Sequence, residues 1–144
     1  MIAQNVMTAT KEILITQSDF DRLQGLVESP RYRSTHAASL MVLRDELDRG
    51  TVVAADAVPQ GVVTMHSQVR VRDAKDDESA TYTLVYPDEA DINEVKLSVL
   101  APLGIALLGT KVGQVVKFDA PAGPRRLKVE KILYQPEAAR DFHL

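Results

Sequence analysis

Met65-His66-Ser67-Gln68-Val69-Arg70-Val71-Arg72-Asp73 decides how the second half of the chain folds. Met65, Ser67, Val69 and Val71 alternate with His66, Gln68, Arg70 and Arg72, the period-two pattern of a half-buried strand over 65–73. A charged turn over 73–78 follows. Tyr82, Leu84 and Tyr86 then alternate with Thr81, Thr83 and Val85 in a second strand. Residues 97–100 predict a third strand, and 102–108 a short helix or turn. Strands over 115–119 and 127–134 are joined by Ala120-Pro121-Ala122-Gly123-Pro124, which is turn chemistry between antiparallel neighbours. This part is strand-rich.

Upstream the period changes. Residues 13–15 form a short apolar run of strand character, and Thr16-Gln17-Ser18-Asp19 supplies oxygens suited to a helix N-terminus. A helix over 18–28 places Phe20, Leu23, Leu26 and Val27 on one face. Pro30 interrupts the pattern, so Ser29-Pro30-Arg31-Tyr32-Arg33 reads as a loop in which Tyr32 caps a hairpin core. A second helix over 35–49 carries Leu40, Leu43 and Leu47 in a heptad-like seam and stops at Gly50. The two helices predict a short antiparallel hairpin. Residues 51–60 read as a connector, and the chain divides into a helical segment, 1–58, and a strand-rich domain, 59–144.

The chain has 144 residues, 45% apolar and 26% charged, with a formal net charge of −3. A domain of this size buries enough surface to need no staples. It has no Cys, which excludes disulfides, thiolate zinc sites and Cys nucleophiles. Six cations and eight anions precede Pro59, and 11 cations and 12 anions follow from there. Neither half is a basic module, which argues against attachment to nucleic acid by bulk charge. The apolar stretch 97–109 is broken by Ser98, Pro102 and Gly104 and is shorter than the ~20 residues of a spanning helix. Residues 1–11 lack the features of a signal peptide, so a cytoplasmic protein is expected.

Several motifs carry no chemistry. Gly104-Ile105-Ala106-Leu107-Leu108-Gly109-Thr110-Lys111 reverses the Lys-hydroxyl order that a phosphate loop requires, and its bulky apolar residues suit packing. Asp88-Glu89-Ala90-Asp91, with Glu94, lacks calcium-loop spacing and reads as a solvated turn. His36, His66 and His143 have no metal-ligand spacing and read as surface histidines. No Gly-x-Ser-x-Gly elbow occurs. Arg31, Tyr32 and Arg33 could meet phosphate or a base, against which stands a plain solvated turn.

Four segments carry a resemblance. Val62-Val63-Thr64-Met65-His66-Ser67, Tyr82-Thr83-Leu84-Val85-Tyr86-Pro87, the run from Ser98-Val99-Leu100-Ala101-Pro102-Leu103-Gly104 through Gly109, and Tyr134-Gln135-Pro136-Glu137-Ala138-Ala139 resemble the regulator of nucleoside diphosphate kinase (Rnk) family. That family belongs to the Gre group of bacterial transcription elongation factors, and Asp45-Glu46-Leu47-Asp48-Arg49 fits it too. The resemblance implies an α+β fold: a short N-terminal antiparallel coiled-coil hairpin followed by a strand-rich FKBP-like C-terminal domain. It implies bacterial RNA polymerase as partner, bound near the secondary channel. The loop Ala101-Pro102-Leu103-Gly104 matches a Gre docking segment, with Ala101 where Gre factors have Ser.

Gre factors bring paired carboxylates to the polymerase active site, where they help hold a second magnesium. The tip from Ser29 to Arg33 has none, Glu28 stands alone, and Asp45, Glu46 and Asp48 lie near the hairpin base. The expectation is a non-enzymatic transcription regulator that competes with Gre factors without stimulating transcript cleavage. Its expected polymerase contacts are Ala101, Pro102, Leu103 and Gly104, with secondary contacts from Arg31, Tyr32 and Arg33. No catalytic residue, cofactor or metal is expected, and no sequence-specific nucleic-acid binding or membrane association; the protein is expected to be a monomer. The alternatives are a cleavage-stimulating elongation factor and a regulator acting directly on nucleoside diphosphate kinase. Prolyl isomerase activity has only the shape of the domain behind it, because the chain is 5% aromatic with no Trp. His66, where relatives of the family usually have Asn, reads as variation on an outward strand position.

Overall fold

The computed structural model describes residues 13–141. The readings of residues 1–11 and of His143 lie outside them. The chain opens with strand β1 (Leu14–Thr16), then helices α1 (Gln17–Glu28), α2 (Pro30–Arg33) and α3 (Ala37–Arg49), and strand β2 (Thr51–Val53). Strands β3 (Gln68–Asp73), β4 (Ser79–Val85) and β5 (Lys96–Ser98), helix α4 (Pro102–Leu107) and strands β6 (Val115–Ala120) and β7 (Gly123–Tyr134) follow. The fold is α+β, with a helical N-terminal part and a strand-rich C-terminal part.

The helical part forms as its apolar spacing dictates. Thr16 caps α1, its Oγ1 accepting the Asp19 N–H at 3.1 Å. Leu23 and Val27 of α1 meet Leu40, Leu43 and Leu47 of α3, all buried. Each such side chain contributes about 2 kcal/mol of apolar burial. The expected loop at 29–33 instead holds the single helical turn α2, with Ser29 as its extended N-cap. Ser29 Oγ accepts the Arg31 N–H at 3.3 Å and Pro30 sits in the first turn, where its missing N–H costs nothing. Residues 51–60 are likewise more than a connector, because β2 pairs parallel with β1 across the whole helical excursion.

The larger sheet runs β5-β4-β3-β7-β6, antiparallel except for β4 with β5. Val69, Val71, Leu84, Val116, Leu127 and Val129 project inward, into one core that also contains the leucines of α1 and α3. The strand expected over 65–73 starts only at Gln68. His66 has φ 67°, which ends the alternation, and the chain turns there, with the Ser67 N–H donating to the Thr64 carbonyl at 3.1 Å.

The two parts are bound at β1. The Thr51 N–H donates to the Ile13 carbonyl at 2.8 Å and the Leu14 N–H to the Gly109 carbonyl at 3.4 Å. Gly109 has φ +76°, and a Cβ there would stand 2.2 Å from Ile13 Cγ2. Only glycine fits the junction.

This packing makes a graded prediction. Leu43→Ala, at a side chain with no exposure, should lower the unfolding free energy by about 3 kcal/mol in urea titration. Met41→Ala, two positions away and 70% exposed, should change it by less than about 0.5 kcal/mol.

Candidate functional site

The loop before α4 is held by its own backbone. Ser98 Oγ accepts the Leu100 N–H at 3.0 Å, and the Ser98 carbonyl accepts the Ala101 N–H at 3.0 Å. A Cβ on Gly104 would fall 2.1 Å from the Ser98 oxygen, so glycine is what lets α4 close against the loop. Ala101 is the N-cap of α4 and offers no side-chain oxygen to its N–H groups. A Ser at this place would supply a cap as well as a surface hydroxyl.

Of the four residues expected to bind a partner, the structure exposes Pro102 and half-exposes Ala101. Leu103 and Gly104 are buried, and Leu103 belongs to the core. A charged replacement of Leu103 therefore tests folding, whereas one at Pro102 tests the surface. Pro102 lies on the rim of a groove of about 530 Å³ between α3, α4 and β6, lined among others by Val42, Ile105, Val115 and Phe118. Val42 and Val115 are 49% and 57% exposed. Spacing alone does not reveal this groove, because its walls come from three separated elements.

Arg31, Tyr32 and Arg33 form α2, at the tip of the helical part. The Arg31 guanidinium lies 5.2 Å from the centre of the Tyr32 ring, and Tyr32 meets His36 edge-on at 5.8 Å. Tyr32 is half-buried against the core, consistent with its expected capping role, while both arginines are exposed. Glu28, just before the tip, accepts from Gln24 Nε2 at 3.3 Å. Asp45 and Asp48 are exposed at the other end of α3, and Glu46 is buried and paired with Arg49.

Beneath α1 lies a polar junction that the sequence did not reveal. Asp19 is 4% exposed, and its Oδ2 accepts the Met65 N–H at 3.1 Å, tying the first helix to the turn before β3. Burial pushes its carboxyl up to about 6, with Glu137 adding to the rise and the Met65 N–H opposing it. His66 is no surface histidine: its side chain is 13% exposed, Nε2 donates to Glu89 Oε1 at 2.8 Å, and the ring meets Tyr86 edge-on. The positive φ turns it inward. Although burial opposes it, the His66 contact and the Tyr86 N–H hold Glu89 below the usual carboxylate range. Burial also raises the Tyr86 phenol, beneath the Arg22 guanidinium. Thr64 donates to Glu137 Oε1 at 2.7 Å, and Gln135 Nε2 donates to the Pro59 and Val62 carbonyls at 2.8 and 2.7 Å. The segments 62–67, 82–87 and 134–139 thus meet in one place.

Two family models match the chain. Residues 11–53 match the Rnk N-terminus model, and residues 58–134 match the C-terminal model of the transcription elongation factors GreA/GreB. Over 133 residues the chain is 40% identical to the "Regulator of nucleoside diphosphate kinase" of Escherichia coli K12, covering 92% of this chain and 96% of that protein. It is 34% identical over 128 residues to "Transcription elongation factor GreA" of Clostridium beijerinckii, covering 89% and 80%. A solved GreA/GreB elongation factor from Nitrosomonas europaea superposes with a TM-score of 0.72 at 35% identity, covering 85% of this chain and all of that one. The fold and both family models define a GreA/GreB-type transcription elongation factor. Within that group the chain belongs to the Rnk family.

The Asp19 junction predicts a pH dependence. A carboxyl whose folded pKa lies above its unfolded value binds more protons in the folded state between about pH 4 and 6. Its contribution to stability is therefore largest below that window and falls as pH rises through it, by about 2 to 3 kcal/mol. Asp19→Asn keeps an oxygen for the Met65 N–H and removes the titration. Urea titrations from pH 4 to 7.5 should show the variant gaining on the parent as pH rises; a constant difference would contradict the assignment.

Proposed function

We propose that this chain is a non-enzymatic regulator that binds bacterial RNA polymerase near its secondary channel and competes with Gre factors without stimulating transcript cleavage. The observation that carries the second half of this reading is the tip. Magnesium-assisted hydrolysis needs carboxylates placed together, and α2 carries Arg31, Tyr32 and Arg33 instead. The 12-residue α1 and 13-residue α3 are each only about 20 Å long, and the acidic residues of α3 lie at its far end. Membership of the GreA/GreB group supports polymerase as the partner.

Docking is assigned to Pro102, shaped by Ala101 and Gly104 and backed by the apolar groove beside it. Leu103 supports the loop from below. Arg31, Tyr32 and Arg33 provide secondary contacts from the tip. The name of the Escherichia coli relative favours a second reading, in which nucleoside diphosphate kinase is the direct target.

Stalled bacterial elongation complexes, with and without a Gre factor, test the proposal. The chain should suppress Gre-stimulated shortening of the transcript and cause none itself. Pro102→Asp should weaken this competition at least tenfold, equivalent to about 1.4 kcal/mol, while leaving the unfolding midpoint unchanged. Magnesium-dependent cleavage by the chain alone, or full competition by a folded Pro102→Asp variant, would overturn it.

A further inference from the structure

The outer face of the large sheet concentrates positive charge in a protein whose formal net charge is −3. Strand pairing puts Arg70 opposite Lys131, Arg72 opposite Lys128, and Lys117 opposite Arg126. Paired residues share a face, and these alternate with Val69, Val71, Val116, Leu127 and Val129, which are buried in the core. All six cations therefore project from the side away from the core.

Arg72 is neutralised, its Nε donating to Glu130 Oε2 at 2.5 Å with Asp77 nearby at 3.8 Å. Arg70, Lys117, Arg126, Lys128 and Lys131 form no ion pair among the described residues. The anions at this face are Glu130 and Asp77, both beside Arg72, Asp73, which lines the cleft below and is held by Arg125, and Asp119 near the end of β6. Lys117 and Arg126, together with Lys75 from the 73–78 turn, border a cleft of about 510 Å³. Arg126 and Lys128 lie two residues apart on β7, about 6.8 Å along the strand, Lys131 follows across a register shift, and neighbouring strands add rows about 4.8 Å away. Ser79 and Thr81 pair with Arg72 and Arg70 and bring hydroxyls to the same face.

We infer that this sheet face binds single-stranded nucleic acid through its phosphate backbone, without reading sequence. Polyanion binding needs clustered, unpaired cations, and hydroxyls are common phosphate partners. A protein partner would want a buried aromatic or aliphatic anchor. Around the cations the most exposed apolar side chain is Val115, with Leu133 less exposed toward the far end of β7, where Tyr134 gives its hydroxyl to Asp141. Among the described residues Tyr134 is the one aromatic side chain beside these cations, and its hydroxyl is already committed, so contact is with phosphate. This surface is separate from Arg31 and Arg33 at the tip and does not depend on the polymerase reading.

Fluorescence anisotropy of the full chain with a labelled oligothymidylate of about 20 nucleotides tests the inference. Binding should saturate at about 50 mM salt and weaken toward 200 mM, with a log–log slope of roughly −3 for four to five phosphate contacts. The variant Lys117→Gln/Arg126→Gln/Lys128→Gln should bind at least tenfold more weakly with a shallower slope, and with an unchanged melting temperature. Arg31→Ala/Arg33→Ala should bind like the parent. No saturable binding, an unaffected triple variant, or a loss confined to the tip variant would overturn the assignment. Displacement by polyglutamate at equal or lower charge concentration would also overturn it, by showing that the face prefers an acidic polypeptide.

Discussion

The close approach of Ile13 to Gly109 holds the two parts of this protein in one arrangement. β1 is only three residues long, yet its neighbourhood meets β2, the end of α4 and the start of the helical part. Ile15 reaches Gly50 on one side, and Ile13 reaches Gly109 on the other. A side chain at Gly109 would push β1 off the end of α4, whereas one at Gly50 would chiefly have to displace the Ile15 terminal methyl. With both in place the leucines of α1 and α3 share one core with the valines of β3 and β7. The buried Asp19 carboxylate adds a directional contact to the same junction.

That fixed seam gives the surface features their relation to one another. The loop bearing Pro102 is braced beside α3, so the groove next to it is made jointly by the helical part and the sheet domain. The tip, with its two arginines, lies at the opposite end of α3 from Asp45 and Asp48. The basic sheet face looks away from the core that the helices share. Three chemically different surfaces therefore project from one shared core.

Much of the architecture was legible in local patterns. The spacing of Leu40, Leu43 and Leu47 identified the packed face of α3, and the alternation around Val69 and Val71 identified β3. What was lost depended on register or on contacts across long separations. The β1–β2 pairing joins residues on either side of three helices, and no local signal announces it. His66 continues an alternating pattern in sequence, but its positive φ removes it from the strand and turns it toward Glu89. Leu103 was legible as apolar, while its burial follows from how Gly104 seats α4 on the Ser98 carbonyl. The basic face escaped detection because counting charge by halves averages over the two sides of a sheet. Arg70, Lys117 and Arg126 become neighbours in one surface only when β6, β7 and β3 pair.

Photocrosslinking from position 102, with p-benzoylphenylalanine in place of Pro102, distinguishes the two possible targets. The reaction would contain equal amounts of bacterial RNA polymerase and nucleoside diphosphate kinase. Position 102 should form an adduct with polymerase that a Gre factor suppresses. An adduct with the kinase alone, or a polymerase adduct that a Gre factor leaves untouched, would contradict the polymerase reading.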